Sequence, residues 1–325
     1  MSDVLEKKPT GSGNLVARLR PFTGVIALVV LCIVFGSRER TFVSPENFFN
    51  ILNAMAIIGI LAVGQTFPLI GGGFDLSQGA IASFSGAVVA SLLSKHGQPI
   101  PVAVAAGLAT GAFLGGVNGA LIAKLGINPF VATLGTQIAF FGITNVYTDN
   151  QPMSLGAQAD AFRQLSFGHV GQFSYASLLF LGLVVLLAVV LRLLPFGQYV
   201  YVLGGNEEAA RLAGIPTDRI KISTYVLSGL LASIGGLVMI ARAGQASPVA
   251  GVGYELQSLA SCIVGGIALG GGVGSAWNVL LGAVTLGVVD VGLQMAVNAP
   301  NWRPVIQGLI ILLAVAVDAR ARSRR

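Results

Sequence analysis

Two carboxylates interrupt long uncharged stretches of this chain. Asp75 separates the runs Asn47–Phe74 and Leu76–Ser94, and Asp290 follows Leu256–Val289. An acid in such surroundings is costly unless it faces a partner or a watery cavity, so each marks a place where polar chemistry is concentrated. Asp75 lies in Gly71-Gly72-Gly73-Phe74-Asp75-Leu76-Ser77-Gln78-Gly79. Three successive glycines weaken a helix, and irregular backbone at membrane depth is tolerated only when buried in protein or lining a cavity. The segment reads either as a broken-helix element beside a translocation path or as a cap, with Asp75 or Ser77 satisfying the first N–H groups of the next helix. Asp290 reads either as a pathway or partner-facing group or as an acid paired within the bundle. Asn118, Thr133 and Thr136 are polar groups in otherwise apolar stretches. With Ser77 they supply the hydroxyls and amides that a neutral, polar cargo needs, and no ring of charge.

The chemistry of a self-contained enzyme is not legible. No G-x-x-x-x-G-K-[ST] loop is present, so no nucleotide-hydrolysing site is expected. No H-E-x-x-H or C-x-x-C occurs, and no nucleophile–base pair stands out. Cys32 and Cys262 lie in apolar runs outside any metal-ligand spacing and read as small buried residues, so neither a metal site nor a disulfide framework is expected. His96 and His169 are the only histidines and fall near expected span ends.

A second informative segment is Gly204-Gly205-Asn206-Glu207-Glu208-Ala209-Ala210-Arg211-Leu212-Ala213-Gly214-Ile215. Asn206 can cap a short helix whose first turn carries Glu207 and Glu208, where acids favour the helix dipole. Gly214 ends that helix and Pro216 follows. A short amphipathic helix lying along the membrane surface suits a soluble partner, the alternative being an ordinary solvated loop.

The elements holding these residues follow from composition. The chain has 325 residues, 54% of them hydrophobic and only 10% charged, with a mean hydropathy of +0.81. Soluble domains carry about 25% charged residues, so the apolar excess faces a bilayer. The uncharged runs are long and lack the alternation of a barrel, which predicts helices. The fold class is therefore all-α, a polytopic membrane helix bundle with broken or re-entrant elements. About ten spans are expected, near 21–37, 49–71, 78–94, 99–123, 129–148, 174–194, 220–241, 253–269, 276–297 and 303–318. Residues 1–20 form an N-terminal tail, 21–318 the membrane domain with the loop 195–219 on the cytoplasmic side, and 319–325 a basic tail. With both termini cytoplasmic, thirteen of the 19 basic residues fall inside and six outside, the bias that the positive-inside rule requires. The net charge of +6 is explained by that bias. No basic stripe interleaves with aromatics, so nucleic acid is not an expected partner.

Four stretches in order give these elements a family. Gly72–Ser77, Gly115–Gly119, Asn128–Thr136 and Gly204–Ile215 resemble the permease subunits of ribose/xylose-type ATP-binding-cassette (ABC) sugar importers, with similarity from roughly Phe42 to Val317. The resemblance implies a bacterial inner-membrane importer that moves a monosaccharide or similar solute by alternating access. It implies a dimer of permeases, cytoplasmic ATPases that hold the ATP and magnesium, and an extracytoplasmic sugar-binding protein. No cofactor would be bound by this chain. The stretch Gly204–Ile215 would be the coupling helix on the ATPase, with Gly205, Asn206, Glu207, Glu208, Ala210, Arg211, Gly214 and Ile215 at the contact. The chain departs from the family in two places: Asp290 stands where an amide is usual, and Phe74 where an aliphatic residue is. An ion-coupled secondary transporter using Asp75 and Asp290 is the rival reading, and a membrane enzyme a further one. A nucleoside or, less readily, an amino acid are other cargoes.

Overall fold

The structure, a computed structural model, describes residues 23–297 together with 302, 305, 306, 308, 309 and 312. The expected tails 1–20 and 319–325 lie outside the described residues, as does most of the expected span 303–318. The helices are α1 (Thr23–Arg38), α2 (Pro45–Ile70), α3 (Gln78–Ser94), α4 (Ile100–Lys124), α5 (Pro129–Tyr147), α6 (Ala159–Phe167), α7 (Tyr175–Leu193), α8 (Pro195–Gly205), α9 (Glu207–Leu212), α10 (Thr217–Ala243), α11 (Tyr254–Gly265) and α12 (Ala276–Gly292). Among the described residues six are long and apolar enough to cross a membrane, α2, α4, α5, α7, α10 and the helical stretch from Ala276 to Met295, while α1 and α3 are shorter apolar helices.

Eight of the ten expected spans coincide with α1–α5, α7, α10 and α12, the tenth lies mostly outside the described residues, and the remaining one differs from expectation. The span near 253–269 is the 12-residue α11. At 1.5 Å per residue it reaches about 18 Å, short of the roughly 30 Å hydrocarbon core. Gly266, at φ +102, ends it in the left-handed region, and the chain turns through Ile267–Gly274 before α12. It is a half-helix, the broken element the glycine-rich sequence implies.

The long helices stop and start where caps permit. Ser44 caps α2 by accepting from the Asn47 amide at 3.2 Å, with Pro45 at its first position. Asn128 caps α5 through the Phe130 amide, followed by Pro129. Helix α10 is central, packing on α4, α2 and α3. Its seam with α4 is made by glycines. A side chain at Gly229 would strike the Gly111 carbonyl, and one at Gly115 the Tyr225 carbonyl. Small residues let two helix backbones touch where lipid gives no hydrophobic drive for association. The largest core cluster joins α2, α7, α10, α11 and α12 around Ile60, Leu61, Phe180, Leu187 and Val279.

The two ends of the bundle differ. At one, α6, a hairpin pairing His169–Val170 with Phe173–Ser174, and an antiparallel pairing of Met153–Ser154 with Gln245–Ala246 make a cap. At the other lie α8 and α9.

Candidate functional site

The site is built where α2 gives way to α3. Pro68 lies within the last turn of α2, and Gly72, at φ +89, turns the chain out of the helix. The Gly73 amide still reaches back to the Pro68 carbonyl at 2.8 Å. This delivers Asp75, wholly buried, into the centre of the bundle. Its Oδ1 accepts the Ser77 amide at 2.9 Å and the Ser77 hydroxyl at 2.6 Å, and its Oδ2 accepts the Ser228 hydroxyl of α10 at 2.8 Å. The Asp75 amide donates to Gln65 Oε1 of α2 at 3.3 Å. Of the two expected caps, Ser77 makes no side-chain bond to α3, whereas Asp75 accepts the Ser77 amide at the start of that helix and in addition bonds Ser228 of α10.

Two chains of donated hydrogen bonds converge on this carboxyl. On one side Thr136 of α5 donates to Asn118 Oδ1 of α4 at 2.6 Å, and Asn118 Nδ2 donates to the Ser77 hydroxyl at 2.7 Å. On the other, Ser258 of α11 donates to Gln78 Oε1 at 2.7 Å, and Gln78 Nε2 donates to Ser228 at 3.0 Å and to the Leu61 carbonyl at 3.1 Å. Six helices are tied through one acid. Asp75, Ser77, Gln78, Asn118, Ser228 and Ser258 are all fully buried. Buried polar groups normally find partners, and here the bonds that link these residues, the Asp75–Ser77 pair excepted, join different elements.

Of the expected pathway residues, Asp75, Ser77, Asn118 and Thr136 come together. Thr133 is buried but donates to Pro129 of its own helix at 2.8 Å. Asp290 is buried on α12, whose neighbouring positions Val288, Val289 and Val291 pack with Phe35 and Phe42. Sequence reading missed Gln65, Gln78, Ser228, Ser258 and the buried Glu255, whose Oε1 accepts the Gly253 amide at 3.1 Å. Gln65 and Gln78 bracket the Gly71–Ser77 break, and amides so placed in apolar helices were the available signal. Among the described residues no group of three His, Cys, Asp or Glu is placed to hold a metal ion.

The second candidate region is α9. Asn206 caps it by accepting the Ala209 amide at 2.9 Å, with Glu207 and Glu208 in the first turn. The Gly214 and Ile215 amides close the end on the Arg211 and Ala210 carbonyls, and Gly214 takes φ +79. Ala210 is buried, whereas Glu208, Arg211 and Gly214 are exposed, and Leu212, not singled out in the sequence, is 85% exposed. Lys221 of α10 reaches Glu207 at 2.6 Å, fixing α9 to the bundle, and Lys124 pairs with Asp218 at 2.8 Å.

These regions adjoin through backbone. The Gly272 amide donates to the Ile70 carbonyl at 2.8 Å. A side chain at Gly204 would collide with that same carbonyl and with the Gly272 amide, and one at Gly271 would lie 2.8 Å from Gly72. Gly205, one residue on, has open space beside it.

A family profile described as the permease component of the branched-chain amino acid transport system matches residues 47–315. The ribose import permease protein RbsC of Escherichia coli K12 is 39% identical over 297 residues, covering 90% of this chain and 92% of that protein. RbsC of Bacillus subtilis is 35% identical and covers 97% of both chains. The fructose import permease protein FrcC of Rhizobium meliloti is 35% identical over 90% of this chain and 82% of its own length. The galactose/methyl galactoside import permease protein MglC of Haemophilus influenzae is 34% identical over 90% of this chain and 92% of its own. No solved structure matches the chain. A multi-pass helical bundle, a profile spanning most of the sequence and relatives aligned nearly end to end agree: the chain belongs to this family of membrane permeases.

Proposed function

We propose that the chain is the membrane-spanning subunit of an ATP-driven importer for a monosaccharide or similar small polar solute. The observation that carries the reading is α9, a short helix capped at both ends and presented to solvent with Leu212 bare, joined by touching backbones to the segment that delivers Asp75. Such a helix suits a soluble ATPase that closes and opens on ATP and magnesium. The contact uses Gly205, Asn206, Glu207, Glu208, Ala210, Arg211, Gly214 and Ile215. The permease itself hydrolyses no nucleotide and binds no cofactor.

The cargo is supported by the relatives, whose names give ribose, fructose and galactose as what they import. A neutral sugar offers hydroxyls, and the Asp75 network is made of hydroxyls, amides and one carboxyl that can exchange bonds with them. Asp75, Ser77, Asn118 and Thr136 are the pathway groups, with Thr133 beside them, and Asp290 acts at a distance from them. Alternating access needs a second permease copy, identical or paralogous, and a binding protein that presents sugar at the α6 end. The chain lies in the bacterial inner membrane with both termini and α9 on the cytoplasmic side.

The test is Gly205→Arg in the complex reconstituted with its ATPase. The open space at Gly205 lets the bundle fold, so the expected result is a monomeric stability like that of the parent with ATPase docking and uptake lost. Docking and uptake both intact would refute the coupling assignment.

A further inference from the structure

The Glu255 carboxyl stands apart from the bonds that join Asp75 to its neighbours. Glu255 lies in the first turn of α11 and is 5% exposed. Its Oε1 accepts the Gly253 amide at 3.1 Å. Its Oε2 lies against Gly79 of α3, where an added side chain would strike it, and has no hydrogen-bond partner among the described residues. The side-chain amide of Gln137 on α5 faces the same carboxyl. Gln137 is half-buried and lies one residue from the centre of the 19-residue α5, about 1.5 Å from mid-span. At that depth lipid satisfies neither an amide nor a bare carboxyl oxygen. Helices α5 and α11 both pack on α3, and Val252 and Leu256 beside Glu255 are exposed, so the pair is approached from the outer surface of the bundle. Two hydrogen-bond chains pass close behind it. Gln137 follows Thr136, which donates to Asn118, and Glu255 lies one turn before Ser258, which donates to Gln78.

We propose that Gln137 and Glu255 form a hydroxyl-binding position for a neutral polyhydroxylated solute, at mid-membrane on the outer surface of the bundle, where the second permease copy closes it. The proposal rests on the import reading for its cargo. Gln137 is the exposed member and meets the solute first, offering a donor and an acceptor. As its amide turns aside, Oε2 of Glu255 gains from a solute hydroxyl the donor that the bundle withholds. Many transporters build their solute sites near the midplane from discontinuous helices, and α11 is the half-helix of this chain. A hydroxyl held there lies one turn from Ser258, whose bond leads through Gln78 and Ser228 to Asp75.

The test has two arms, both on the chain assembled with its ATPase and binding protein in vesicles. In the first, Gln137→Cys and Val185→Cys are treated with a charged maleimide on both sides of the membrane, and labelling is read peptide by peptide by mass spectrometry. Val185 lies near mid-span of α7 and is 64% exposed. Gln137→Cys is nonetheless expected to label at least tenfold faster, because it faces water and Val185 faces lipid. Equal rates would make Gln137 and Glu255 a structural pair and overturn the proposal. In the second arm, saturated uptake of ribose, fructose and galactose is compared with that of their monodeoxy analogues, in the parent and in Glu255→Gln. For at least one analogue the disadvantage against its parent sugar should shrink at least tenfold in the variant, since a bond already missing cannot be lost again. A uniform fall for every sugar would mark a structural role and overturn the proposal. If Glu255→Gln does not fold, Gln137→Leu decides by the same comparison. A parent complex that imports none of these sugars with ATP refutes the import reading instead, and the labelling rates then decide the site by themselves.

Discussion

The chain breaks its helices twice with a glycine triplet followed by a serine, at Gly71–Ser77 and at Gly270–Ser275, and the two serines are used in opposite ways. Ser275 stays local: its hydroxyl accepts the Asn278 amide and caps α12, and Asn278 Nδ2 closes the end of α11 on the Gly265 carbonyl at 2.6 Å. Ser77 makes no cap bond. It gives its hydroxyl to Asp75 and receives Asn118, so the first break becomes the hub of bonds from six helices. The difference lies in the carboxyl. An Asp buried without donors would be severely destabilising, and three donors from two elements make it tolerable only while the whole bundle is assembled. One break is a structural turn. The other is a place where a change in helix packing must be felt as a change in hydrogen bonding.

The largest effect should come where the two breaks meet. Gly204→Val drives a side chain into the Ile70 carbonyl and the Gly272 amide, neither of which can yield. Purification in detergent is expected to give no monodisperse protein, while Gly205→Ala gives normal yield. Next, Asp75→Ala strips the acceptor from both Ser77 and Ser228. A loss of about 3 kcal/mol is expected from three buried hydrogen bonds at about 1 kcal/mol each, read as a lowered melting temperature, with uptake falling at least 100-fold. Asn118→Leu cuts one arm only and should cost about 1–2 kcal/mol, with uptake down about tenfold. The smallest effect belongs to the local break. Ser275→Ala removes one cap, worth about 1 kcal/mol, and should leave uptake within twofold. Equal losses for Asp75→Ala and Ser275→Ala would erase the distinction between the breaks.

What could be read in the sequence follows the same division. The cap, first turn and stop of α9 were legible in full, because Asn206, Glu207, Glu208 and Gly214 act on backbone within a few residues of themselves. Eight helix positions were legible from hydropathy alone. The half-helix α11 was not: its apolar run continues through Gly265-Gly266 into Ile267-Ala268-Leu269, and composition does not reveal where the chain turns. Asp75, Ser77, Asn118 and Thr136 were chosen as polar residues in apolar surroundings, and the structure joins them. Ser228 and Ser258 could not be chosen, since their partners lie 153 and 180 residues away and serine is common at helix contacts in membranes. Thr133 met the same polarity test but bonds back to its own helix, because polarity does not tell a back-bonded hydroxyl from a member of the network.

The measurement that tests the account most directly is uptake of radiolabelled ribose, fructose and galactose into proteoliposomes holding this chain, its ATPase and its binding protein. The account predicts accumulation of at least one of these sugars that requires ATP and both partners and is lost in Gly205→Arg. Uptake by the chain alone, driven by a proton or sodium gradient without ATP, would contradict it.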